Sequence, residues 1–226
     1  MKSRYKIIAL LAVASIISCK GNAQVILWNS LKKEYKHILN TNLAWDYGIN
    51  YGVGYAYQLK FKCPILLDVE FSVPSGKNLL DDYKTKMGGQ VKLHEYQNFI
   101  LAIKIQGIFR RYENPSVRII NFGSEMSTTF GYYKPTWFLA SEIGFDKAIV
   151  SYFKHSKLIK DNFTNIRDGW YEPSTGGNFY YGFQTGFTFK KHDIYLKIGK
   201  IVTQDFKTTP LIPYYTQVGY NIKIGK

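Results

Sequence analysis

The chain has 226 residues, a formal charge of +14, 17% aromatic residues and two cysteines. That length suits a single β domain, since barrels commonly pass about 200 residues as one unit, and it is too short for a wide diffusion porin, which needs about 16 to 18 strands. Two cysteines exclude a small scaffold held by several disulfides, and the basic balance points to anionic surfaces.

The first residues read as a secretory signal peptide: Lys2, Arg4 and Lys6, then "IIALLAVASIISC", then small Gly21 and Ala23 around a cleavage point. Cleavage after Ala23 leaves Gln24 as the mature N-terminus. A second reading takes "IISC" as a lipobox with Cys19 lipidated; cleavage is preferred because a strand-rich chain needs no lipid to hold it in a membrane. Losing residues 1–23 removes Lys2, Arg4, Lys6 and Lys20 and no acid, so the formal charge falls from +14 to +10. Cys63 is then the one cysteine left, and no intramolecular disulfide is expected. Export argues against nucleic acid as a partner. After the signal no apolar run reaches 18 residues, so no membrane helix is expected. A membrane strand needs only about 9 to 11 residues with every second one apolar.

Residues 24–41 read as a strand or as a short helix, with Leu31, Tyr35 and Ile38 on one helical face. From Leu43 to Phe61 every odd residue is apolar or aromatic and every even one small or polar, which reads as one long strand. After a turn at Cys63, Ile65, Leu67, Val69, Phe71 and Val73 share a face opposite Asp68, Glu70 and Ser72. A loop over residues 74–86 precedes a weaker strand at residues 89–96. The alternation resumes in Phe99, Leu101, Ile103, Ile105 and Phe109, then in Ile120, Phe122, Met126, Phe130 and Tyr132, then in Trp137, Leu139, Ile143 and Phe145. A polar stretch over residues 154–177 separates these from Phe179, Tyr181, Phe183, Phe187 and Phe189, from Ile194, Leu196, Ile198 and Val202, and from the closing run Tyr214, Val218, Tyr220, Ile222 and Ile224. That makes nine strands from Leu43. Bacterial single-chain barrels use even numbers, so the expectation is ten, the tenth lying in residues 25–39, with eight as the alternative.

Connections alternate short and long, which places the turns at Cys63, Gln97, Pro135 and His192 on the periplasmic side. In this whole-chain pattern the sequence resembles small bacterial outer-membrane β-barrel proteins. The terminal "QVGYNIKI" resembles the β-signal read by the barrel-assembly machinery, with Gln217, Gly219, Ile222 and Ile224 in the matching places; it departs by ending on Gly225 and Lys226 instead of an aromatic residue. The resemblance implies an all-β fold, a closed antiparallel up-and-down transmembrane barrel over residues 24–226, in the bacterial outer membrane. It also implies that membrane's lipid, lipopolysaccharide and the assembly machinery as partners.

A secreted lipocalin-like barrel shows the same period with its apolar side inward. Bulky apolar residues on long strands, a facing set of charges mixed with Gly and Ala, and aromatics near strand ends favour the membrane version. In it Asp46, Asp68, Glu70, Glu125, Glu142 and Asp146 are expected to meet Lys60, Lys104, Arg110, Lys197 and Lys223 in a lumen that paired charges plug. His37, His94, His155 and His192 lack metal-ligand spacing, and neither a metal nor a cofactor is expected. His155 and Ser156 with Glu172 resemble the His, Ser and Glu of outer-membrane lipid A deacylases, but here His and Ser are adjacent, so on a strand they point to opposite faces; no catalytic residue is assigned. Lys154, Lys157, Lys160 and Arg167 concentrate charge at the outer rim, where anionic lipid would contact them. The function expected is a structural, adhesive or surface-recognition role through basic outer loops.

Overall fold

The structure is a computed structural model that describes residues 24–46, 48–61, 63–76, 81–163, 165–173, 176–208, 210 and 212–225. The signal-peptide reading, with Cys19 and the cut after Ala23, lies outside them. Among the described residues eleven strands form: β1 (Tyr35–Trp45), β2 (Ile49–Leu59), β3 (Ile65–Pro74), β4 (Asp82–Tyr96), β5 (Phe99–Glu113), β6 (Val117–Tyr133), β7 (Trp137–His155), β8 (Gly169–Tyr171), β9 (Gly177–Phe189), β10 (His192–Thr203) and β11 (Tyr214–Gly225). All but β8 close into an antiparallel ring of ten. Its seam joins β1 to β11, with Leu43 opposite Val218, and the ring continues from β6 to β7 and on to β9. β8 adds to the outer end of β7, after the short helix α1 (Lys157–Asn162).

Both ends of the described chain and the turns after β2, β4, β6 and β9 lie on one side. These include the two-residue turns Gln97–Asn98 and Lys190–Lys191, each opened by a residue with φ near +55°, the twist that tight hairpins favour. The long connections, residues 75–81, 156–176 and 204–213, lie on the other, which is therefore the outer end. β7 rises highest: Gly177 of β9 pairs with Lys147, leaving the rest of β7 standing beyond its neighbour. A bulge where Phe122 faces Val150 and Gly123 faces Ala148 bends this projecting part.

The tenth strand differs from the expectation. The run from Leu43 to Phe61 is not one strand but the end of β1, a turn at Asp46 to Gly48, and β2. Trp45 pairs with Ile49, so the hairpin keeps odd residues on one face throughout. Residues 24–34 are neither strand nor amphipathic helix. Residues 24–31 fold into the lumen from the periplasmic side, with one 3-10 turn at Trp28–Ser30, and Lys32 to Glu34 are exposed. The loop expected over residues 74–86 is shorter, because β4 begins at Asp82.

Faces follow the sequence. Ile143 is 66% exposed and Phe187 67%, on the outside, whereas Lys197, Glu125 and Gln217 are each 1% exposed, inside. A water-soluble barrel has the opposite sense. The apolar wall, with Met126, Ile105, Phe183, Ile194 and Val218 also exposed, is far larger than a soluble surface tolerates, and in lipid it is the correct solvent-facing side.

Candidate functional site

The lumen is built from one side of each strand, even-numbered on β4, β5, β7 and β9 and odd-numbered on β6, β10 and β11, where alternation carries polar groups inward. Glu125 of β6 binds Lys86 of β4, takes a hydrogen bond from Tyr180 Oη (2.5 Å) and forms an ion pair with Lys104 Nζ at 3.4 Å. Lys104 also approaches Glu142 (3.8 Å), whose other oxygen meets Lys197 Nζ at 2.6 Å. The result is a chain of alternating charges from β4 across to β10. Each ion has a partner, the condition on which buried charge is tolerated. Asp68 accepts from Gln90 (2.7 Å) and Gln106 (2.6 Å), Glu70 from Asn42 (2.9 Å), and Asp146 from Asn178 (3.1 Å). Of the cations expected here, Lys104, Lys197 and Lys223 are in place. Lys60 is not: it is exposed in the turn after β2. Arg110 sits near the outer end, bidentate on Asp82 at 2.9 and 2.6 Å. Lys86 and Asp193 were missed, because their segments read as loop and turn. Asp193 holds Lys223 Nζ at 2.7 Å.

The periplasmic half is filled by the first described residues. Val25, Ile26, Leu27 and Trp28 pack among Ile38, Ala56, Leu66, Ile100, Ala102, Tyr133, Phe138, Ala140 and Tyr195. Asn221 Nδ2 donates to the Val25 carbonyl (2.9 Å), Gln90 Nε2 to that of Gln24 (3.2 Å), and Lys223 Nζ to Ser30 Oγ (2.8 Å). Between this segment and the charges a cavity of about 20 Å³ remains, lined by Gln24, Lys104, Glu142, Gln184 and Lys197 among others, room for about one water. Among the aromatics near strand ends, Tyr133, Tyr180 and Tyr215 point into the lumen because of their place in the alternation; Tyr132 and Trp137, 5.8 Å apart, face outward.

At the outer mouth, under residues 165–173, lies a larger pocket of about 450 Å³. Phe153, Ile166, Tyr171 and Pro173 give it apolar walls, Asn121 and Ser151 a polar floor joined by a 2.7 Å hydrogen bond, and His155 and Arg167 its charged or titratable edge. Asp168 ties the loop down. It accepts from the His155 backbone N–H (2.9 Å) and Lys160 Nζ (2.5 Å), and lies 3.2 Å from His155 Nδ1. The hydrogen bonds from Lys160 first, then from the His155 amide, hold its carboxyl down at about 2.

The basic rim divides. Lys160 is paired with Asp168, Lys157 is exposed on α1, Arg167 borders the pocket, and Lys154 projects from the outer wall of β7. Ser156 Oγ caps α1 by accepting from the Ile159 amide, the His155 ring faces Asp168, and Glu172 is exposed, so these three form no catalytic relay. Gln217 and Gly219 face the lumen on β11, while Ile222 and Ile224 face outward along the seam with β1. His37 pairs with Tyr55 and His192 with Tyr220, at 2.7 and 2.6 Å.

No protein-family model and no curated protein matches the sequence. Among solved structures the chain is similar to the NanC porin, with a TM-score of 0.48 and 8% identity over 83% of this chain and 100% of that one. It is similar to the KdgM porin in complex with disordered oligogalacturonate, at 0.42 and 8% over 83% and 99%, and to the de novo designed TMB2.3, at 0.38 and 10% over 84% and 95%. By its own geometry, a closed ring of ten strands with apolar wall and charged lumen, the chain has the architecture of a small outer-membrane β-barrel.

Proposed function

We propose that this chain is an integral protein of the bacterial outer membrane that acts as a surface-recognition protein through its outer end and does not conduct. The observation that carries the reading is the division of space. The lumen is filled by residues 24–31 and paired charges down to a cavity of about 20 Å³, whereas the outer mouth keeps about 450 Å³, within the range of small-ligand sites. Apolar walls with Arg167 and His155 at the edge suit a ligand with an apolar or aromatic body and an acidic group. The role is binding, without catalysis. Gln217, Gly219, Ile222 and Ile224 serve as the signal for barrel assembly, in keeping with their place on the closing strand.

Three measurements test this together. The protein should fractionate with outer membranes and show heat-modifiable mobility in detergent gels; release as a soluble periplasmic protein overturns the placement. In planar bilayers it should give no conductance steps. Purified protein should bind host polymers with residues 156–176 intact and lose that binding when the segment is replaced by a Gly/Ser linker; equal binding by both forms overturns recognition through this loop.

A further inference from the structure

The outer wall carries a second feature, on the face opposite the pocket. Strand register fixes two rows there. In the lower, Tyr83, Arg111, Ile120, Tyr152 and Trp170 follow one another across β4, β5, β6, β7 and β8. One pleat further out, Glu113, Arg118 and Lys154 stand side by side on β5, β6 and β7. Glu113 binds Arg111 and, at 2.7 Å, Arg118. Lys154 is exposed and forms no ion pair among the described residues.

Two relationships need an explanation. Arg118 and Lys154 are like charges directly opposite each other, a pairing that destabilises a sheet unless an anion joins it. Glu113 answers Arg111 and Arg118 but not Lys154, and Arg118 Nε has no hydrogen-bond partner among the described residues. Immediately below runs a continuous line of rings: Phe71 to Tyr83 (5.6 Å), Tyr83 to Phe109 (6.0 Å), Phe109 to Phe122 (5.2 Å), Phe122 to Trp170 (6.2 Å) and Trp170 to Tyr152 (5.1 Å). Such rings occupy the level where hydrocarbon meets headgroup. The cations therefore stand at headgroup height, where a phosphate lies within reach of guanidinium and ammonium donors.

We infer that Arg111, Arg118 and Lys154 form a docking site for the phosphate of a phosphorylated glycolipid of the outer leaflet, with the ring line beneath receiving its acyl border. The phosphate bridges Arg118 and Lys154 on the side away from Glu113. This site rests on the outer-membrane reading above, but it differs from the rim first suspected: only Lys154 belongs to both.

The test uses the full-length protein in phosphatidylcholine nanodiscs containing bisphosphorylated lipid A or the same lipid A without phosphate. Native mass spectrometry reads lipid A retained per barrel. Wild type should retain the phosphorylated form and not the other. Arg118→Gln with Lys154→Gln should weaken retention about thirtyfold, equivalent to about 1 kcal/mol per basic side chain at a membrane surface. Lys207→Gln, which changes an exposed loop cation away from the wall, should leave retention unchanged. Heat-modifiable mobility confirms that each variant is folded. Equal retention of dephosphorylated lipid A, or wild-type retention by the wall variant, overturns the site while leaving the outer-membrane reading intact; recovery of wild type from the soluble fraction removes that reading and the site with it.

Discussion

Tyr195 lies across Gly219: the two are paired directly between β10 and β11, and a β-carbon on the glycine would stand 2.1 Å from the ring's Cζ. Tyr215 over Gly199 and Tyr180 over Gly144 repeat the arrangement. The ring covers the bare backbone, and its hydroxyl accepts from Asn40 Nδ2 at 3.1 Å. Since Tyr195 is 1% exposed, it has nowhere to move. Gly219→Val is expected to destabilise the barrel by about 1–3 kcal/mol through overpacking, measured by urea unfolding in lipid vesicles. In a double-mutant cycle with Tyr195→Ala the two effects should be non-additive; strict additivity would show that the ring contact is not the cause.

The sense of the wall can be checked on the same strand. Val218 is 48% exposed and sits mid-strand opposite Leu43 and Leu196. Val218→Arg should cost about 2–4 kcal/mol if that position meets the bilayer midplane. A soluble barrel would accept it almost freely. Folding yield into vesicles, against Lys200→Arg at the outer end of β10 as a control, separates the two.

Trp28 is 4% exposed inside the periplasmic half of the lumen. Replacing it with Ala should remove about 3–5 kcal/mol, as for other buried large aromatics, and lower the temperature at which the heat-modifiable band converts. An unchanged conversion temperature would mean that residues 24–31 do not occupy the lumen in the membrane.

Acid should loosen the outer loop before the barrel. Asp168, ordinarily near 3.8, is held at about 2 by Lys160 and the His155 amide. Its contribution is complete above the ordinary value and is lost as pH falls through the lowered one, so the window runs from about 4 to about 2. Trp170 emission and protease cutting within residues 156–176 should change across that window, and Asp168→Asn should show the loosened state already at neutral pH. Asp205, held low by the Thr203 hydroxyl and then by the amides of Lys207 and Thr208, should keep its turn closed throughout.

Intact-protein mass should place the mature end at Gln24. That residue is 3% exposed and lines the central cavity beside Lys104 and Lys197, each five positions inside the periplasmic end of its strand. A lipid on Cys19 would have to turn back over about 16 Å of strand and then pass around the rim. The five residues from Cys19 span at most about 17 Å. A mass carrying a diacylglyceryl group on Cys19 would refute the prediction.

What the sequence made legible was the faces. Residues such as Tyr55, Phe71, Ile105, Phe183 and Val218 alternate without interruption, and period two is set by the backbone itself. The β1–β2 hairpin escaped because its three-residue turn preserves parity, so the alternation runs through Asp46 to Gly48 as if no turn existed. The lumen segment escaped for a different reason: its apolar residues match no period. A trace of it was present on the partner strands, where Ile38, Leu66, Ile100, Ala102, Phe138 and Ala140 interrupt the polar face. All lie near periplasmic ends. The outer pocket depends on a loop closing over β7, for which local sequence holds no periodic signal.

The occupied lumen also constrains the order of events in making the barrel. β11 is the last strand in chain order and one side of the seam, and it carries Asn221 and Lys223, which hold the Val25 carbonyl and the Ser30 hydroxyl. The seam with β1 and the grip on residues 25–30 thus form in the same step. A chain whose opening segment lagged would bring Asn221 and Lys223 to the seam with nothing to grasp, and ring closure would lose the contacts that reward it, so the last strand in effect inspects the first residues before it locks.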